Sequence, residues 1–155
     1  MELEFEEIDL QSPELSAEVS PADHQRLLEI FDESNRRLNH FLQHKVLSYQ
    51  KEEMAITIFP IASFIVARVG RQIVGYAAYF GNYLIGIFVS DSFSHSGMEL
   101  RLLEKVKQDL DEELETILFM KNSMMLELYL EEGFNISACR SCWRRNEITV
   151  TLTHG

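Results

Sequence analysis

Between Tyr83 and Met120 the chain spells out a strand, a polar loop, a helix and a second strand, and few folds accept that order. Tyr83 to Val89 is a run of aromatic and β-branched residues with one glycine, the composition of a strand. Ser90 to Gly97 is polar and holds one glycine. From Met98 to about Glu115, Leu103, Val106, Leu110 and Leu114 recur at helical spacing, with Glu99, Arg101, Glu104 and Lys105 among the wet-side residues. From about Thr116 to Met120 the pattern is strand-like again. A strand, a crossover helix and a further strand set two parallel strands side by side. The loop feeding the helix exposes the helix's first N–H groups, which suit an anion.

The rest of the chain extends this unit. Phe64 to Val69, Ile73 to Phe80 and Tyr83 to Val89 are joined by Gly70-Arg71-Gln72 and Gly81-Asn82, short glycine-bearing connectors that predict an antiparallel meander. A short helix follows the second parallel strand at Ser123 to Glu132 and stops at Gly133-Phe134. Asn135 to about Arg144 and Glu147 to Thr153, joined near Arg145-Asn146, read as a closing hairpin, because Ile148, Val150 and Leu152 alternate with threonines. Upstream, Met1 to Ile8 is expected as an edge strand and Asp9 to Glu18 as a loop. Ser20-Pro21-Ala22-Asp23 offers a cap, a proline at the first helical position and an acid at the third. From Ala22 to about Gln50 there is no glycine or proline, and the polar cluster Ser34-Asn35-Arg36-Arg37 is expected to break the stretch into two helices. The sum is an α/β (α+β) chain: a mixed, mostly antiparallel sheet of about seven strands flanked by about four helices, in a single domain over residues 1–155.

Charge narrows the partners. The formal net charge of −11 is spread along both halves, a surface that repels phosphate backbones and argues against nucleic acid. The acidic amino terminus carries no secretory signal, and the most apolar run, Ile56 to Val69, is interrupted by Pro60, Ser63 and Arg68 and too short to span a bilayer. A cytoplasmic protein without membrane attachment is the expectation.

Three local features are read as structural. Cys139 and Cys142 stand as Cys-x-x-Cys without two further zinc ligands, and on a strand residues three apart face opposite ways, so reduced cysteines are expected. His40 and His44 lie one helical turn apart with no third ligand, so no metal is expected. Arg140, Trp143, Arg144 and Arg145 form a basic, aromatic cluster that suits either a partner surface or a cover for the sheet.

The order of elements and two motifs resemble the GNAT superfamily of acyl-CoA-dependent N-acyltransferases, over roughly Phe64 to Leu152. The first motif is Asn122-Ser123-Met124-Met125-Leu126-Glu127-Leu128-Tyr129-Leu130-Glu131-Glu132-Gly133-Phe134, with an asparagine, a tyrosine seven residues on and Gly-Phe four beyond it. The resemblance implies Asn122 beside the pantetheine arm and Tyr129 as the acid that protonates the thiolate. A phenol near its ordinary pKa is protonated at pH 7 and suits that task. Asn122 also suits a helix cap, and Tyr129 a core position.

The second motif is degenerate. The family places Arg or Gln, two variable residues, Gly, one variable residue and Gly or Ala where this chain has Ser94-His95-Ser96-Gly97-Met98-Glu99, so Gly97 alone is kept. Glu99 puts a negative charge in the first helical turn, good for an empty helix start and bad for a bound anion. The resemblance implies acetyl-CoA as co-substrate, bound by Phe88, Val89, Ser94, His95, Ser96, Gly97, Met98 and Asn122, and an amine-bearing small molecule or peptide as acceptor. A homodimer stays open. No acid lies on the strand before the loop, which leaves Asp91 and His95 as the nearest candidate bases. Two function classes follow: an N-acetyltransferase, or a GNAT-fold binding or regulatory module without the chemistry.

Overall fold

The expected meander is the centre of a seven-stranded sheet. The computed structural model describes residues 14–142 and 147–155. The strands are β1 (Glu14–Ser16), β2 (Ser63–Val69), β3 (Gln72–Phe80), β4 (Tyr83–Val89), β5 (Leu114–Phe119), β6 (Asn135–Cys142) and β7 (Glu147–His154). They pair in the order β1-β2-β3-β4-β5-β7-β6. Every pairing is antiparallel except β4 with β5, the pair made by the crossover. The helices are α1 (His24–Leu38), α2 (His44–Glu53), α3 (Met98–Leu110) and α4 (Ser123–Glu131), and α2 runs into a π turn at Met54–Ile58.

Each face of the sheet carries its own core. On one side Met98, Leu102, Leu103 and Val106 of α3 and Met125 and Tyr129 of α4 pack on Leu84, Ile87 and Val89. On the other, Leu27, Ile30 and Phe31 of α1 join Met54 and Phe59 against Val66, Tyr76 and Ala78. Leu27 and Ile30 are fully buried, each worth about 1.5–3 kcal/mol relative to exposure. The start of α1 follows its sequence signal. Ser20 N–H donates to the Asp23 carboxylate at 2.9 Å, which with Arg68 alongside holds that carboxyl below its usual range, and Arg68 fastens the helix start to β2 at 3.1 Å.

Several expectations are corrected. The edge strand expected at Met1 to Ile8 lies outside the described residues, as do Trp143, Arg144 and the tip Arg145-Asn146; β1 instead falls within the stretch read as a loop. The Ser34 to Arg37 cluster does not break the helix: α1 continues to Leu38, and the turn spans residues 39–43. Tertiary contacts absorb the polarity, since Asn35 Nδ2 donates to Gln50 at 2.8 Å and Arg36 pairs with Asp32 at 2.9 Å. That turn separates His40 from His44, which accordingly do not share a helix face. The crossover helix ends at Leu110, short of Glu115; Asp111 is left-handed at φ 44°, and Leu114 opens β5 as a buried strand residue. Acids at a helix carboxyl end oppose its dipole, consistent with the early stop. Cys139 is free and exposed, which does not fit a structural role. No helix among the described residues is long and apolar enough to cross a membrane.

Candidate active site

β4 and β5 stay together for two residue pairs, Tyr83 with Glu115 and Leu84 with Thr116. The cause of their parting lies in β4. Ala78 of β3 faces Gly86 while its neighbour Tyr79 faces Leu84, so Ile85 is an extra residue. A bulge bends the strand that carries it, and this one begins where the parallel pairing ends. Ser90 N–H bonds the carbonyl of Val74 across to β3 at 2.9 Å. Alternation along an antiparallel ladder then turns the N–H and C=O groups of Val89 and Ile87 the other way, toward the gap.

The gap opens into a cavity of about 340 Å³. β4 lines it with Ile85, Gly86 and Phe88, β5 with Thr116 to Phe119, and α4 with Asn122, Met125 and Tyr129. Asn122 caps α4, its Oδ1 accepting from Met125 N–H at 3.3 Å. Tyr129 is only 2% exposed; burial pushes its phenol pKa far up, and the nearby Tyr83 adds to the rise. Thr116 gives its own proton to the carbonyl of Leu84 at 2.8 Å, pinning the last β4–β5 pair. Phe88 lies over Gly86, where a Cβ would meet its Cζ at 2.5 Å, and packs on Phe31 and Tyr76 at ring distances of 4.9 and 5.3 Å.

The loop is a separate region. None of Ser94, His95, Ser96, Gly97 and Met98 lines the cavity, and the Met98 and Val89 side chains are buried in the α3 core, leaving these two residues their backbone groups alone. His95 and Gly97 are left-handed at φ 65° and 83°, and Gly97 caps α3, whose first N–H groups have no acceptor within the helix. α1 clasps the start of the loop: Glu33 accepts from Asp91 N–H at 3.0 Å, and Arg37 pairs with the Asp91 carboxylate and donates to the Val89 carbonyl at 3.1 Å. Asp91, a candidate base by sequence, is thus held by Arg37 away from the cavity lining. Glu99, assigned to the wet face of its helix, is 5% exposed, and its Oε2 has no hydrogen-bond partner.

No family model matches the chain, and no curated protein does. Solved structures do. The apo form of YjaB from Escherichia coli superposes with a TM-score of 0.78 at 19% identity, covering 91% of this chain and 97% of that one. The PaiA N-acetyltransferase of Thermoplasma acidophilum, in complex with coenzyme A, gives 0.76 at 14% identity over 91% and 98%. A Desulfovibrio desulfuricans protein assigned to the GNAT family of acetyltransferases gives 0.71 at 18% identity over 92% and 98%. The chain has the GNAT fold.

Within this GNAT fold the cavity gathers Phe88, Asn122 and Tyr129 from the residues singled out in the sequence and leaves the loop residues apart. It also gathers residues that sequence reasoning passed over. Ser34, Asn35 and Asn39 at the end of α1 and Gln50 and Glu53 at the end of α2 form its fourth wall. Glu53 is the sole carboxylate of the lining among the described residues. The signal for Ser34 and Asn35 was present, as two polar residues inside a helix, but it reads equally as a break.

Proposed function

We propose that the protein is an acetyl-CoA-dependent N-acetyltransferase whose chemistry takes place in the cavity between β4 and β5. The carrying observation is geometric: the Tyr129 side chain lines the cavity at the apex of that gap, 2% exposed, where a phenol can serve as a proton donor. The residues fit the co-substrate unevenly. The bulge, the gap and the Asn122 cap suit a slender pantetheine arm. At the other end Gly97, whose missing Cβ would meet nothing within 4 Å, lets the α3 N–H groups face a pyrophosphate, while Glu99 opposes it. Bound acetyl-CoA would supply an activated acyl group and a thiolate leaving group.

In this reading the Val89 N–H polarises the thioester carbonyl, and an amine that has lost one proton attacks its carbon. The N–C bond forms, the C–S bond breaks, and Tyr129 gives its proton to sulfur and regains one from solvent. A second proton leaves the nitrogen, so an ammonium and a thioester yield an amide, a thiol and one proton. Glu53, lining the same cavity, is the base the sequence lacked, acting through a water. Thiol release with acetyl-CoA and a panel of amines tests the reading, and absence of both acetyl-CoA binding and thiol release overturns it. Glu99 and the loss of a long side chain at Ser94 favour the second reading, a GNAT-fold binding or regulatory module; calorimetry with acetyl-CoA separates the two.

A further inference from the structure

We infer that the cavity wall made by the ends of α1 and α2 selects an amine with an apolar body and no carboxylate or phosphate of its own, such as an amino-acid amide or peptide amino terminus. The inference rests on the acetyltransferase reading for its chemistry, but its evidence is a different part of the cavity. Asn39 Nδ2 donates to Asn35 Oδ1 at 2.7 Å, and Asn35 Nδ2 donates to Gln50 Oε1 at 2.8 Å. This relay uses each inner group once and leaves free groups at both ends. Asn39 Oδ1 is buried with no partner, and so is the hydroxyl oxygen of Ser34, a residue 1% exposed. A buried polar atom left unpaired is destabilising, so two on one cavity wall call for a ligand that satisfies them.

What is missing is a donor. An ammonium offers three N–H groups and no acceptor, matching Ser34 Oγ and Asn39 Oδ1, and the Glu53 carboxylate at the exposed rim supplies the opposite charge. The Gln50 amide nitrogen, at the other end of the relay, is free to donate to a neutral carbonyl such as that of an amide. Among the described residues the lining contains no Lys, Arg or His, so a carboxylate or phosphate on the acceptor would meet Glu53 and nothing of opposite sign. Phe31, Leu38, Met54 and Ile58 complete the wall and take an apolar body. Met54 and Ile58 stand on the π turn that continues α2 and is closed by the wide Phe59 N–H to Met54 C=O bond at 2.9 Å.

The test compares phenylalaninamide with phenylalanine, which share an amine and a ring and differ in the carboxylate. Calorimetry on the full chain without acetyl-CoA reads binding, and thiol release with acetyl-CoA reads turnover. The amide should bind at least about tenfold tighter than the acid and show at least about a tenfold higher kcat/KM. Glu53→Gln, at an exposed position that does not endanger folding, should weaken amide binding and shrink the gap between the two ligands; Ser34→Ala removes an acceptor of the shared ammonium and should weaken both. Equal binding, preference for phenylalanine, binding of neither, a gap untouched by Glu53→Gln, or amide binding untouched by Ser34→Ala overturns the inference. Preference for the acid in a protein that turns over acetyl-CoA sinks this inference and leaves the acetyltransferase reading standing. Selective amide binding without any acetyl-CoA binding does the reverse.

Discussion

The gap between β4 and β5 and the loop from Ser90 to Gly97 lie at opposite ends of the proposed co-substrate site and are built on opposite principles. The gap is a vacancy made by backbone geometry: one extra residue at Ile85, a ladder that ends at Leu84 and Thr116, and two helices that decline to fill the opening. The loop is a surface already engaged. Asp91 N–H goes to Glu33, the Val89 carbonyl and the Asp91 carboxylate go to Arg37, and Ser94 and Ser96 hydroxyls fold back on the carbonyls of Asp91 and Phe93. In the proposed reading, chemistry and affinity are therefore set by different residues. A chain can keep the first and weaken the second, and both readings of function grow from that split.

The largest expected effect tests the gap. Tyr129→Phe keeps the ring packed on Phe134 at 5.0 Å and removes the proton donor, so turnover should fall about 10²–10⁴-fold with the melting curve little changed. Because burial raises the phenol pKa, the protonated form persists as pH climbs, and Tyr129 should cause no alkaline loss of rate below about pH 10. By linkage the same raised pKa contributes stability that is fully present below about pH 10 and lost as pH rises beyond it, readable in alkaline denaturation. Retained turnover in the variant would remove Tyr129 from the mechanism.

A second test attacks the wall of the gap. Gly86→Ala drives a Cβ into the Phe88 ring, which Phe31 and Tyr76 hold in place, and should cost about 1–3 kcal/mol in chemical denaturation. A neutral result would mean that Phe88 moves freely and that the vacancy is soft.

At the loop the effects should be smaller and fall on binding. Glu99→Gln removes a buried negative charge from the first turn of α3, where the dipole interaction is worth about 0.3–1 kcal/mol, so acetyl-CoA should bind up to about fivefold tighter by calorimetry. Weaker binding would make Glu99 a support of the site. Arg37→Met opens the clasp between α1 and Asp91. Both partners are partly exposed, so the loss of stability should stay within about 1 kcal/mol, read as a small fall in melting temperature.

The strands, the crossover and the α4 motif were legible in the sequence because each is a local pattern. Alternation fixed β7, glycine connectors fixed the meander, and Asn122 to Phe134 carried cap, tyrosine and stop within one short segment. Polar residues inside helices were read wrongly, because periodicity reports which side of a helix is wet only when its partners are known. Ser34 and Asn35 looked like a break and are the wall of a cavity; Glu99 looked like a solvated acid and is 5% exposed. Glu53 gave no local signal at all, since it meets the cavity only through the packing of α2 beside α1 after the turn at residues 39–43. The sequence by itself determined which segments are strands and helices and in what order they join, since hydrophobic period and turn chemistry act within a few residues. Only the tertiary structure decided which polar groups meet in the gap, because a bulge of one residue at Ile85 and a turn at residues 39–43 set distances between elements far apart in the chain.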